Sequence, residues 1–321
     1  MNKYRMKKWL PEELEEIPCD FCGSREVRIE FRRADGMRVS ECAVCGLGYL
    51  NPRPRADLIQ RFYEEDYFTG VAFDTWDSGL KLNLDPSKSG LEEKEKTLPR
   101  SVEIVAHKFG GFQNKDVLEI GCATGDLLFK IKNEGGRARG LEISDFASRF
   151  ARQRGLDVKT GTIDDFASRN PEAFDILIAL EVIEHVLSPT EFMKFSAQLL
   201  RPNGLLVMST PNYRCAKRFG KEWFGFNASF EHIYFLSIEI LKEISIKRML
   251  ELEWWETSTY SGGPIRSGGF LDGKVKNIAE FCFVVKNIGF LNIVRNIHRG
   301  LNSYNQLGIG HTIFAVFRKK T

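Results

Sequence analysis

The 321-residue sequence opens without an apolar run long enough for a secretory signal peptide. Its basic first residues, Met1 to Leu10, lead straight into the acidic stretch Pro11 to Glu16, so a cytoplasmic protein is the expectation. Low-complexity tracts are missing too, and with 43% hydrophobic and 28% charged residues the composition excludes fibrous and disordered classes. Net charge is small. The 46 Lys and Arg against 43 Asp and Glu leave +3, which without a local patch gives no support for a nucleic-acid partner. Nor are the cysteines even in number: seven, with no secretion signal, argue against a disulfide framework and for thiols or metal ligands. The length suffices for one large domain and one small one.

Four of the seven cysteines carry a pattern. Cys19 and Cys22, then Cys42 and Cys45, form two CxxC pairs with 19 residues between Cys22 and Cys42, the spacing of a zinc ribbon. Two residues between thiolates let one tight turn present both sulfurs to a tetrahedral ion, and Gly23 and Gly46 tolerate the positive φ such turns need. Sulfur at all four positions leaves no place for a water, so the expected zinc is structural. Between the pairs, Val27, Ile29 and Phe31 alternate as one face of a strand that turns at Ala34, Asp35 and Gly36 into Met37 to Ser40.

Residues 1–54 thus read as the ribbon, and 55–96 as a linker with a helix through Leu58, Phe62 and Tyr63 and a cover at 69–96. The main domain is expected over 97–321, with a helical insertion at about 264–306. From residue 97 helix and strand patterns alternate, with strands at 115–120, 137–142, 156–158, 174–180, 204–210, 250–257 and 311–318. The helices between them fall at 98–109, 126–134, 145–154, 164–170, 189–200 and 237–248. This alternation means an α/β fold, a Rossmann-like, seven-stranded, mainly parallel sheet with helices on both faces. Such sheets bind ligands beyond the carboxyl ends of their strands.

The first strand, Asp116 to Ile120, contains Glu119 and runs into Gly121-Cys122-Ala123-Thr124-Gly125 and a helix starting at Asp126. Backbone there must approach a ligand closely. A dinucleotide site would place a third glycine at 126. A carboxylate at that point repels pyrophosphate, whereas a sulfonium cofactor with an amino-acid tail carries no phosphate. Glu142, 21 residues beyond Gly121, ends the second strand, where an acid accepts ribose hydroxyls, and Ile143 follows it. Thr162 and Ile163 come after the third strand, placed to border an adenine, and Leu180 and Glu181 end the fourth.

Asp116 to Leu128, Gly140 to Ile143, Phe174 to Val186 and Leu200 to Gly204 resemble successive motifs of class I S-adenosylmethionine-dependent methyltransferases. Ala123 departs from them, since many members have glycine there. The resemblance covers about residues 97 to 260 and the final strand, which it makes antiparallel. It implies S-adenosylmethionine held by Glu119, Gly121, Cys122, Ala123, Thr124, Gly125, Glu142, Ile143, Thr162, Ile163, Leu180 and Glu181. The ribbon followed by Gly46 to Pro54 is similar to the front of bacterial members in sugar, surface-polysaccharide and secondary-metabolite pathways. That implies a small-molecule acceptor, a sugar or a glycosylated intermediate.

Methyl transfer is an in-line displacement that usually needs a base beside the acceptor. Glu231-His232 resembles the acid and histidine of sugar C-methyltransferases, in which the histidine is the base, and Gly262 to Arg266 resembles a later motif of those enzymes. Ser229 stands where they carry tyrosine, which favours O-methylation over C-methylation. His232, Glu231 and His185 are therefore the candidate catalytic residues. Glu181, Glu184, His185 and His232 also resemble the two-glutamate, two-histidine magnesium site of small-RNA 2′-O-methyltransferases, where a divalent cation polarises the acceptor hydroxyl. A metal-assisted RNA enzyme and an idle cofactor-binding protein are the alternatives. Each histidine alone also reads as a helix-start contact or a core-edge ring. Trp223, Phe224 and Phe226 either line an acceptor pocket or pack as a cover. Ile278 to Val294 is no membrane span, but a lid helix or an interfacial helix making peripheral membrane contact. Cys122, Cys215 and Cys282 read as buried and unreactive.

Overall fold

The computed structural model describes residues 9–33, 35–63, 100–220, 223–227, 231–258 and 310–321. The expected cover at 69–96, Ser229, the motif at 262–266 and the insertion at 264–306, with its helix at 278–294, lie outside the described residues. No helix among the described residues is long and apolar enough to cross a membrane.

The front of the chain forms β1 (Leu14–Glu15), β2 (Val27–Arg32), β3 (Arg38–Cys42), β4 (Gly48–Leu50) and β5 (Arg53–Pro54), followed by α1 (Ala56–Phe62). The β2–β3 turn is closed by the Asp35 carboxylate, which accepts the Met37 N–H at 3.1 Å, and by the Gly36 N–H donating to the Arg33 carbonyl. Register slips by one residue between Ile29 and Phe31, so that Val27 pairs with Cys42 but Phe31 pairs with Val39. Cys42 and Val39 point to opposite faces, and paired residues share a face, so the bulge carries Phe31 away from Val27. The expectation that they share one face is corrected accordingly: Val27 is exposed, while Phe31 packs on Phe226.

The main sheet contains β6 (Asp116–Ile120), β7 (Arg137–Glu142), β8 (Val158–Thr160), β9 (Phe174–Leu180) and β10 (Leu200–Pro211). After the short β11 (Tyr234–Phe235) it is completed by β12 (Leu250–Ser258) and β13 (Thr312–Lys319). Its order is β12-β13-β10-β9-β6-β7-β8, parallel from β10 to β8, with β13 antiparallel to both neighbours. The expected seven-stranded sheet is thus present. β9 is a nearly continuous apolar run because both its faces are covered. Leu177 and Ala179 join the core formed with α5 (Ile163–Arg169), α6 (Pro189–Leu199) and α9 (Ile238–Ile246). Ile176 and Ile178 join the one formed with α2 (Arg100–Lys108), α3 (Asp126–Asn133) and α4 (Asp145–Gln153). Ser144, Ser188 and Ser237 start α4, α6 and α9 by accepting a backbone N–H of the first turn, each cap adding about 1 kcal/mol.

Two short helices, α7 (Tyr213–Phe219) and α8 (Phe224–Asn227), follow β10. From β6 the chain winds outward to β7 and β8, then crosses to β9 on the other side, which opens a crevice beyond the carboxyl ends of β6 and β9. The ribbon does not stand apart from this sheet. β11 pairs antiparallel with β4 and completes a four-stranded sheet β11-β4-β3-β2. Leu47, Tyr49 and Leu50 share one core with Tyr213, Trp223, Phe226 and Phe235. Gly48 allows the approach, since a Cβ there would stand 2.8 Å from the Tyr213 ring and 3.1 Å from Phe235 Cβ.

Candidate active site and cysteine cluster

Cys19, Cys22, Cys42 and Cys45 come together with their sulfurs within 4.8 Å of one another. Each CxxC turn is closed by a glycine at positive φ, Gly23 donating to the Cys19 carbonyl and Gly46 to that of Cys42. Burial pushes the Cys19 thiol up to about 11 and raises Cys45 further. For Cys42 burial is outweighed by the N–H groups of Cys45 and Val44, and the thiol falls to about 7. Four crowded sulfurs served by turn N–H groups make the donor set of a tetrahedral zinc thiolate, and these residues fit a structural zinc.

Of the expected cofactor residues, Glu119 lies within β6, Glu142 and Leu180 are the last residues of β7 and β9, and the others follow the carboxyl ends of β6, β7, β8 and β9. Gly121, Ala123 and Gly125 all have positive φ, and a Cβ on Gly121 would lie 2.8 Å from Val182 Cγ2. Glu142 knits the loop, its two oxygens accepting from the Ala123 N–H at 2.8 Å and the Ser144 N–H at 2.9 Å. The Ile143 N–H bonds this carboxylate as well, so three backbone donors meet its two oxygens and acceptor capacity for one ligand hydroxyl remains. Glu119 is buried and its Oε2 has no hydrogen-bond partner. Burial, then Glu142 and Asp126 nearby, push its carboxyl well up, and burial raises Glu142 as well. Two adjacent buried acids call for a cation or hydroxyl donors, and S-adenosylmethionine offers both, so the cradle fits it.

Other residues of the set take lesser parts. Cys122 turns its sulfur into the core, where burial pushes the thiol far up, so only its backbone faces the crevice. Thr124 is buried and gives its carbonyl to Arg154 Nη1 at 2.8 Å. Ile143 and Leu180 are half-buried, Thr162 precedes α5, and Ile163 packs on the core. Asp126 is not the bare charge the sequence suggested. Arg154 Nη1 lies 2.6 Å from its Oδ1, which offsets the repulsion expected toward phosphate.

Across the crevice β9 ends at Leu180, and a turn that begins with Glu181, at φ 52, leads to Glu184 and His185. Glu181 accepts from Ser209 Oγ at 2.6 Å and stays open to solvent. Glu184 turns inward, where Oε2 accepts from Thr210 Oγ1 at 3.0 Å and Oε1 has no hydrogen-bond partner. His185 Nε2 and His232 Nε2 stand 3.8 and 3.9 Å from that oxygen, their rings edge to face at 4.7 Å. Three of the four residues considered for a divalent site therefore converge, with Glu181 outside the group. Glu231 contributes its backbone carbonyl, which accepts from the His185 ring.

His232 Nδ1 lies 3.0 Å from the Gly225 carbonyl. A carbonyl only accepts, so Nδ1 carries the proton and Nε2 presents a lone pair. Burial lowers His185 to about 4, and burial, then His185 itself, lowers His232 well below its ordinary value. Burial, then Glu181, raises Glu184. Sequence reasoning missed Tyr63, whose hydroxyl meets His185 Nδ1 at 2.9 Å, and the partners Ser209, Thr210 and Arg154. No local pattern announces contacts between residues 122 apart. Of the two expectations for Trp223 and Phe226, packing holds: both are fully buried, their rings 4.9 Å apart beside Tyr213 and Phe235. Cys215 is buried as expected, and Cys282 and the Phe224 side chain lie outside what is described.

A family model described as a methyltransferase domain matches residues 93–249, the stretch holding the glycine loop, Glu142 and both histidines. The chain carries a class I S-adenosylmethionine-dependent methyltransferase domain. Similar curated proteins include ubiquinone biosynthesis O-methyltransferases from Vibrio atlanticus, 32% identical over 36% of this chain and 51% of that protein, and from Klebsiella pneumoniae, 30% identical over 39% and 52%. The chain therefore spans about half the length of the curated relatives it matches. The chain also aligns with a crystal structure of an S-adenosylmethionine-dependent methyltransferase from Archaeoglobus fulgidus at 17% identity and a TM-score of 0.44, over 68% of this chain and 92% of that one.

Proposed function

We propose that the protein transfers the methyl group of S-adenosylmethionine to a hydroxyl oxygen of a small molecule, a sugar or glycosylated intermediate. The observation that carries this reading is the His232 Nε2 lone pair, fixed by the Nδ1 contact with Gly225 and facing Glu184 and His185 at the strand ends that also hold the glycine loop. Bound S-adenosylmethionine supplies an electrophilic methyl on a sulfonium. Gly121 to Gly125 and Glu142 hold the cofactor, and Glu119 meets the positive end of its tail. His232 takes the acceptor's hydroxyl proton as the oxygen becomes a nucleophile, and Glu184 Oε1 stabilises the imidazolium that forms. Oxygen as the methylated atom is supported by the relatives, which are named O-methyltransferases. The sugar acceptor rests on the ribbon and the Glu231-His232 resemblance.

A second reading has its own observation: two neutral histidine nitrogens and a carboxylate oxygen without a partner face one space, a set that suits a divalent ion. Such an ion would polarise the acceptor hydroxyl in place of a base. The test is a panel of sugars and nucleotide sugars incubated with S-adenosylmethionine, with products weighed by mass spectrometry. His232→Ala should cut turnover by about 10³-fold with S-adenosylhomocysteine affinity unchanged, and unaltered turnover removes His232 from the reaction. Activity lost on EDTA dialysis and restored by Mg²⁺ or Mn²⁺, with zinc content constant, selects the ion over the base.

A further inference from the structure

The loop that carries His232 is held from the ribbon side as much as from its own domain. Arg33, at the end of β2, is buried, ion-paired with Asp35, and donates from Nη1 to the His232 carbonyl at 3.0 Å. One residue further on, the Leu50 N–H of β4 donates to the Ile233 carbonyl at 2.9 Å, and β11 then pairs with β4. On the opposite side the N–H groups of Ile233 and Tyr234 both donate to the Glu184 carbonyl at 3.0 Å. The segment is thus a bridge, with the ribbon on one flank and the Glu184 turn on the other. The exit from that turn is fixed by the ribbon too, through Arg53 Nη1 donating to the Leu187 carbonyl at 2.7 Å. A carbonyl and a ring N–H are the two handles that aim an imidazole whose Cα is already placed.

We propose that Arg33 is a positioning residue for the acceptor-side site: a ribbon side chain that holds the His232 carbonyl and so aims Nε2 at Glu184 and His185. The role is the same whether Nε2 takes a proton or binds an ion. It gives the cysteine ribbon a task in the site itself, and it rests on the reading of that cluster as the acceptor side. The guanidinium is suited to this, since its planar fork serves Asp35 and the carbonyl at once, which a lysine ammonium does less rigidly.

The experiment needs no acceptor. Arg33→Met/Asp35→Asn removes the buried pair without leaving one charge behind, and Arg33→Lys keeps the charge. Zinc content, S-adenosylhomocysteine affinity, amide hydrogen exchange and the ¹⁵N spectrum of the histidine imidazoles are compared with the parent. In the double variant the Ile233 and Tyr234 amides should exchange at least tenfold faster, and the His232 signals should move toward a mixture of tautomers. Arg33→Lys should restore part of both, with zinc, S-adenosylhomocysteine affinity and the exchange of β6 and β9 unchanged throughout. Parent-like exchange and imidazole signals in the double variant would overturn the proposal. So would loss of zinc from the variants, which would make Arg33 a folding residue of the ribbon. Because turnover is not the readout, failure here leaves methyl transfer standing, and an inactive enzyme leaves the positioning role standing.

Discussion

At the level of single residues, the glycine loop shows which backbone choices are obligatory. Gly125 sits at φ 84, and a Cβ there would approach Leu156 Cδ1 to 2.3 Å, so alanine would bring both left-handed strain and a clash. Gly125→Ala should cost about 1–3 kcal/mol of stability and weaken S-adenosylhomocysteine binding, read by thermal denaturation and titration calorimetry. Ala123 at φ 46 already bears the strain, consistent with its departure from the glycine many relatives of the resemblance carry. These positions were legible because spacing and residue type alone dictate them. Glu181 and Glu184 were not separable in that way. Both precede His185 within one short stretch, and only the left-handed turn at Glu181 gives one carboxylate Ser209 and the other Thr210 as partner while leaving the two acids in contact with each other. Asp126 shows the same limit, its charge being countered by Arg154, a residue one helix away.

Among the elements, the entry to β6 is stapled to its neighbours by charge. Asp116 accepts from Arg137 Nε at 2.6 Å and Arg201 Nη1 at 2.9 Å, linking β6 to the starts of β7 and β10. The Arg137 hydrogen bond, against burial and reinforced by Arg201, holds the carboxyl down at about 2. A carboxyl depressed in the folded state adds stability above its unfolded value, near 4, and loses that share as pH falls through about 2. With a quarter of the side chain in water, that share is discounted to about 1 kcal/mol. Asp116→Asn should therefore lower urea stability by that amount at pH 7, the gap from the parent narrowing steadily below pH 4. Strand identities were legible from periodicity, whereas their limits were set by geometry. β10 begins at Leu200, ahead of the expected 204, because an irregularity between Leu200 and Leu205, with Asn203 at φ 65, hides its first residues. β8 is an edge strand of three residues, too short for alternation to fix its bounds.

Over the whole molecule, the boundary drawn after residue 54 divides the sequence but not the packing. The strand that crosses it, β11, has two residues, and no period can be read from two. What the sequence did contain was the aromatic segment Trp223 to Phe226, whose alternative as packing material is the one the fold uses. Tyr213, Phe226 and Phe235 are fully buried against Leu47, Tyr49 and Leu50 of the ribbon. Exposing a large apolar side chain costs about 1.5–3 kcal/mol, so uncovering several rivals the 5–15 kcal/mol by which a domain is typically stable. A chain beginning at residue 97 should therefore fail to form a cooperatively folded methyltransferase domain, binding a hydrophobic dye and showing weak near-ultraviolet dichroism even with S-adenosylhomocysteine present. Zinc chelation of the full chain should act in the same direction but less severely, because the β4–β11 pairing and the shared aromatic core remain after the four sulfurs lose their ion. A truncated protein that melts in one sharp transition near the parent's temperature would show that the two units are independent after all.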